Sequence, residues 1–369
     1  MTINTQNRAY RAALLVISSS ADPISGGGIL VAGDTIAASG PWSTTIVPLL
    51  TPTTTATDLG AVTLVPGFFD CHVHASFDPM RMKMNSSRAE LSDTQTKERE
   101  AKELMKRNAL RLLDAGVTTA RDLASHGMGV MELKGQIDRG EIMGPRLMCA
   151  NAPITVFGGH CNAMGGEAEG LEGVTKMTQR RLDEGAEVIK VMSTGGFMTA
   201  GSHPSEARYS VEELKAIADT AHANGVRVTT HAMGAEGIRR AVVAGFDSIE
   251  HCSWSTRTGT EFDKGVAQLI VDKGVYVCPS ENPCRNFTNT TLIASSDEHR
   301  LPCWRILFLP MGPPVCHCGK SGFITSAQRE DHYGNRQQDR KLSLRALCRR
   351  IYGSGRCGIH TPRAIGCMY

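Results

Sequence analysis

The 369-residue sequence predicts an α/β protein in which parallel strands, each followed by a helix, form a barrel or a doubly wound sheet behind a small β domain. Two observations support this. Short apolar runs recur at residues 67–73, 117–120, 146–150, 188–192, 226–231, 248–251 and 275–278, and helix-patterned segments separate several of them. The composition, 41% apolar and 21% charged, is that of an ordinary globular chain with enough apolar material for one barrel of roughly 250 residues and a satellite domain.

Residues 1–65 are expected to form the small β domain. The run at 12–17 is apolar, and the runs at 29–32 and 36–38 flank Gly33-Asp34, a pairing that predicts a hairpin. The threonine-rich stretch at 51–57 is β-prone but polar, which suits an edge strand or loop. After Pro66-Gly67 the strand–helix alternation begins, and the barrel is assigned to residues 66–304. Its helices include 99–115, 210–224 and 234–244, and the second opens with Ser210 three residues before Glu213, the spacing of a capping box. Seven barrel strands are legible where a closed barrel needs eight.

Residues 305–369 differ from the body. From residue 301 onward there are eleven Lys or Arg against three Asp or Glu, so the preceding 300 residues carry a net charge of −5 although the whole chain carries +3. Six of the twelve cysteines lie in the same stretch. This reads as an aberrant basic, Cys-rich tail, poorly ordered, with the character of a reading-frame or splice product. Cys316-His317-Cys318 lacks a second ligand pair at zinc-knuckle spacing.

The function classes narrow accordingly. No apolar run reaches the ~18 residues of a membrane span, and 12–17 is too short for a secretory core, so a soluble cytoplasmic protein with reduced cysteines is expected. Basic charge confined to the tail, without interleaved aromatics, argues against nucleic acid as a partner. A small-molecule substrate is expected, and homo-oligomerisation stays open.

Chemistry concentrates at strand ends. In Phe68-Phe69-Asp70-Cys71-His72-Val73-His74, the two histidines are two apart and face the same way on a strand, so both imidazoles can reach one metal ion; a pair of satisfied core or surface histidines is the alternative. Lys190 sits in the middle of Val188-Ile189-Lys190-Val191-Met192, where an unpaired ammonium is costly to bury. Carboxylation by carbon dioxide would make it an anionic oxygen ligand; a salt bridge to Glu187 or Glu169 is the alternative. His231 and His251 each end a strand-like run, at the rim where barrel chemistry is assembled.

Taken with Leu64-Val65-Pro66-Gly67, Asp114-Ala115-Gly116-Val117-Thr118-Thr119-Ala120-Arg121-Asp122, Gly158-Gly159-His160 and Glu250-His251, these residues make the chain resemble the amidohydrolase superfamily over about residues 10–304, in particular its imidazolonepropionase-like and Xaa-Pro dipeptidase-like branch. The resemblance implies a distorted TIM (β/α)8 barrel, here incomplete at strand 8, with a small β-sandwich built from both chain ends. It implies one or two divalent metal ions, usually zinc. His72 and His74 would hold the first, carboxylated Lys190 would bridge, and His231 and His251 would hold the second. His160 resembles the family's substrate-polarising histidine and Tyr209 a substrate-contacting residue, with a packed aromatic as the alternative for Tyr209. A metal-activated water would then hydrolyse carbon–nitrogen bonds of non-peptide amides, cyclic amides or dipeptides.

The family's strand-eight aspartate, which relays the proton to the leaving amine, has no clear counterpart. Asp297 is the nearest imitation, and Asp331 reads as a solvated loop residue. Two other readings therefore stand: a catalytically impaired truncated homologue, and a phosphoester or lactone hydrolase on the same metals.

Overall fold

In the computed structural model the described residues are 7–77, 94–279 and 307–309. Asp297, Asp331, Cys316-His317-Cys318 and all of the 305–369 tail except 307–309 lie outside them. The chain forms two compact units, the first holding described residues 7–68 and 307–309 and the second 69–77 and 94–279.

The first unit contains β1 (Arg8–Arg11), β2 (Leu14–Leu15), β3 (Ile24–Ser25), β4 (Gly27–Ala32), β5 (Thr35–Pro41), β6 (Thr55–Asp58) and β7 (Thr63–Pro66). One sheet has the order β5-β4-β1-β6. The predicted hairpin is present: β4 and β5 run antiparallel with Ala32 opposite Thr35, and Gly33 takes the left-handed φ of 62° that the two-residue turn demands. The threonine-rich stretch supplies β6, an exposed strand at the sheet's edge. In the second sheet β7 pairs parallel with β2 and with residues Leu307–Leu309. Leu15 and Leu64 from this sheet and Ile29 and Val31 from the other share one buried cluster.

The second unit alternates strand and helix: β8 (Phe68–Val73), α1 (Thr94–Asp114), β9 (Val117–Asp122), α2 (Gly129–Asp138), β10 (Arg146–Cys149), α3 (Gly170–Asp183), β11 (Val188–Met192), α4 (Val211–Ala223), β12 (Arg227–Ala232), α5 (Ala235–Ala244), β13 (Ser248–His251), α6 (Lys264–Lys273) and β14 (Tyr276–Cys278). The strands form two parallel arcs, β8-β9-β10 and β11-β12-β13-β14. Ile154 links them: its N–H donates to Lys190 O at 2.8 Å and its carbonyl accepts from Met192 N at 2.8 Å. No described strand closes the arc into a complete barrel. Helices α2, α3 and α6 join those expected at 99–115, 210–224 and 234–244. No described helix is long and apolar enough to cross a membrane.

The two-residue strand period separates core from site. Ile189 and Val191 of β11 and Val228 of β12 point outward into a cluster with Val174 of α3 and Leu214, Ile217 and Ala221 of α4. Ile249 of β13 likewise packs on Ile238 and Val242 of α5 and Val266 and Ile270 of α6. Each such aliphatic side chain stabilises the fold by roughly 1.5–3 kcal/mol on burial. The alternate positions, Lys190, Thr229, Ser248 and Glu250, face the other way and are buried too.

The capping box of α4 is complete: Glu213 N–H donates to Ser210 Oγ at 3.1 Å, and Ser210 N–H donates to Glu213 Oε2 at 2.9 Å. Glu213 Oε1 also accepts from Gly170 N at 2.8 Å, tying the starts of α3 and α4 together. Replacing Glu213 by Ala removes acceptors from two helix starts. We expect a loss of about 1–2 kcal/mol in urea unfolding, with the m-value unchanged.

Candidate metal centre

His72 and His74 end β8, His231 lies near the end of β12 and His251 ends β13, so the C-terminal rim of the parallel arcs gathers all four imidazoles. Ring centroids are 5.0 Å apart for His72–His74, 4.9 Å for His72–His251 and 4.5 Å for His231–His251. His160, from the segment after β10, stands 4.8 Å from His231. Burial holds all five rings below their ordinary pKa, with the Lys190 charge adding to the effect; His72 and His160 fall to about 4. They are therefore neutral at pH 7, the form that binds metal.

Adjacent residues of a regular strand face opposite sides, yet both Glu250 and His251 reach this cluster. The backbone explains it: His251 has φ 71°, and the left-handed turn at the strand end brings its ring to the side that Glu250 already faces. A non-glycine residue there carries strain on the order of 1–3 kcal/mol, which the surrounding packing must offset.

Lys190 is 1% exposed, and among the described residues its Nζ has no hydrogen-bond partner. Neither of the alternative salt bridges, to Glu187 or to Glu169, forms. Glu187 lies 3.6 Å from Lys134 and accepts from Cys149 N, while Glu169 accepts from Phe157 N. Burial draws the Lys190 pKa down to about 8, partly opposed by the nearby Glu250 charge.

Glu250, 0% exposed, organises the floor of the site. Its Oε2 accepts from His72 Nδ1 at 2.9 Å, and its Oε1 accepts from Arg121 Nη2 at 2.7 Å and from Thr229 Oγ1 at 2.5 Å. Arg121 Nε also donates to Cys71 O at 2.7 Å. Burial alone would raise the Glu250 pKa, but the His72 hydrogen bond and the Arg121 charge overcome it and hold the carboxylate ionised. Beyond Glu250, Asp122 Oδ2 accepts from Ala75 N at 2.6 Å and so fixes the backbone just after His74. Burial raises the Asp122 pKa to about 7.

These partners suit a divalent ion. With Nδ1–H given to Glu250, His72 keeps its Nε2 lone pair, and that atom lies 3.3 Å from His74 Nε2. Two nitrogens each about 2.0–2.1 Å from one tetrahedral zinc stand roughly 3.3–3.4 Å apart. His231 gives its Nε2–H to Gly195 O at 3.0 Å, leaving Nδ1 as the donor atom. His72, Glu250 and Cys278 also bring ligand-type atoms within 4.8 Å of one another. There, however, both Glu250 oxygens are already engaged, and burial followed by the Glu250 charge keeps the Cys278 thiol protonated. The carboxylate thus serves to orient the His72 ring.

The position of Tyr209 corrects an expectation. It is 1% exposed within the cluster between β11, α3 and α4, and its hydroxyl donates to Ala168 O at 2.8 Å, so the phenol is a core residue. Glu250 and Arg121 were legible only as members of longer motifs. A charged residue inside an apolar strand, the signal that singled out Lys190, also applied to Glu250.

The amidohydrolase family profile matches residues 63–334, and the chain belongs to that family. The match passes residue 304, where the composition changes. The chain is 30% identical over 237 residues to an ochratoxinase of Aspergillus niger, an alignment covering 58% of this chain and 46% of that protein. It thus spans about half the length of this curated relative. The crystal structure of A. niger ochratoxinase superposes with a TM-score of 0.63 at 26% identity, covering 76% of this chain and 67% of that one. A Xaa-Pro dipeptidase with bound methionine superposes with a TM-score of 0.62 at 24% identity, covering 74% and 66%. Phenylurea hydrolase B gives 0.59 at 20% identity, covering 73% and 64%. These neighbours assign a TIM-barrel-like α/β fold.

Glu250→Gln keeps the shape but leaves Arg121 without its counter-charge and His72 without an anionic partner. We expect a destabilisation of about 3 kcal/mol, measured by chemical denaturation. Glu250→Asp should lose less.

Proposed function

We propose that the chain is a metal-dependent hydrolase of carbon–nitrogen bonds, acting on a non-peptide amide, a cyclic amide or a dipeptide. The observation that carries this is the buried Lys190 amine, without a hydrogen-bond partner among the described residues, whose charge acts on four neutral imidazoles gathered at the strand ends. Membership of the amidohydrolase family and the kinship with an ochratoxinase support the same reaction class.

In this reading His72, His74, His231 and His251, with Lys190 in its carboxylated form, would hold one or two divalent ions. The nitrogen-rich donor set favours zinc. Carboxylation forms a bond between Lys190 Nζ and the carbon of carbon dioxide with release of one proton, and an amine with pKa about 8 has enough neutral form to react. When bound, the ions supply Lewis acidity that lowers the pKa of water toward ~7 and polarises the scissile carbonyl. His160 adds a hydrogen bond to that carbonyl oxygen as charge builds, worth ~3 kcal/mol. Glu250 and Arg121 keep His72 in the tautomer with a free Nε2.

We further read β8–β14 as the first seven strands of a distorted (β/α)8 barrel and the two sheets of the first unit as a β-sandwich. The partner is a small-molecule substrate, without nucleic acid or membrane, in a cytoplasmic setting open to homo-oligomerisation. A second reading, an impaired homologue, is favoured by one sequence observation: no Thr-Asp or Ser-Asp strand end follows residue 300. Loss of that proton relay would cost on the order of 10²–10⁴ in rate.

The test is metal analysis of the purified chain together with hydrolysis of N-acyl amino acids, Xaa-Pro dipeptides and imidazolone-like rings, with phosphoesters and lactones alongside. We expect one or two zinc ions per chain, activity lost on chelation and regained with zinc. A chain that folds but binds no divalent metal would overturn the proposal. Full metal loading with turnover lower by the factor above would select the impaired reading.

Lys190→Met should keep the fold, because an apolar chain replaces a buried ammonium, while metal content falls and hydrolysis drops about 10²-fold or more. Melting temperature, metal stoichiometry and rate check the three parts separately.

A further inference from the structure

The segment after β11 touches two of the site histidines. Gly195 O accepts from His231 Nε2, as described, and the next residues enclose His160. A side chain at Gly196 would meet His160 Nε2, Cδ2 and Cε1 at 2.4, 2.6 and 2.6 Å, so the face of the imidazole lies against the bare Cα and its Nε2 edge is not what Gly196 covers. Thr199 Oγ1 lies 3.3 Å from His160 Nδ1 and accepts from Cys161 N at 3.2 Å.

The hydroxyl has one proton. Its oxygen accepts the Cys161 N–H through one of its two lone pairs, and among the described residues the acceptor within reach of its O–H is His160 Nδ1. Nδ1 is then the acceptor and the ring proton sits on Nε2. In an uncharged imidazole, function depends on which nitrogen carries the proton; the Nδ1–H form would offer only a lone pair at Nε2. We propose that Thr199 is a positioning residue that sets His160 as the Nε2–H donor. The β11 segment therefore fixes the tautomers of two histidines with opposite duties: Gly195 leaves His231 with a lone pair at Nδ1, and Thr199 gives His160 a proton at Nε2. The catalytic consequence of the second rests on the hydrolase reading above, whereas the tautomer itself does not.

Thr199 is half-buried, so Thr199→Val removes the hydroxyl at nearly constant shape without disturbing the core. The experiment is a long-range ¹H–¹⁵N correlation spectrum of the zinc-loaded chain carrying ¹⁵N-histidine, with the His160 resonances identified by their absence in His160→Gln. Wild type should show Nε2–H for His160, Thr199→Val should populate Nδ1–H, and Thr199→Ser should restore the wild-type pattern. An Nδ1–H signal in wild type, or an unchanged pattern in Thr199→Val, would overturn the proposal. In parallel, kcat should fall about 10- to 100-fold in Thr199→Val with KM little changed, and recover in Thr199→Ser. A tautomer change without a change in kcat would uphold the assignment to Thr199 and remove His160 from the hydrolytic step.

Discussion

The site depends on keeping one lysine and four imidazoles out of water inside parallel strands. An isolated charge in that setting costs several kcal/mol, and a cluster of cations would cost more. Neutral histidines and a lysine with a lowered pKa reduce this cost, and what remains is a set of neutral imidazoles beside that lysine at one rim. The electrostatic penalty of burial is thus also what prepares the site for a cation.

One full counter-charge lies on the floor of the cluster. Glu250, paired with Arg121, remains ionised and accepts the Nδ1 proton of His72. The backbone carbonyl of Gly195 plays the corresponding part for His231. The orientations of the His72 and His231 rings are thus set by partners on a different strand or loop.

Part of this is legible along the chain because it depends on local periodicity. His72 and His74 share a face since strand side chains alternate. Lys190 stands out because no other charged residue interrupts the apolar run 188–192. The capping box and the Gly33-Asp34 turn rely on contacts within a few residues and appear where expected. Tyr209 was read as a substrate contact because sequence position cannot tell a phenol facing a cavity from one whose hydroxyl finds Ala168 O forty-one residues away.

By itself, the sequence determined the α/β class, the strands that carry the site and five metal-ligand candidates, since each follows from a repeat of two or from a residue type out of place. Only the tertiary structure decided which nitrogens His72 and His231 leave free, that Glu250 orients the His72 ring, and that His251 turns to the same side as its neighbour. Those outcomes depend on hydrogen bonds between residues as far apart as 178 positions and on one left-handed φ angle, and neither leaves a mark in local pattern.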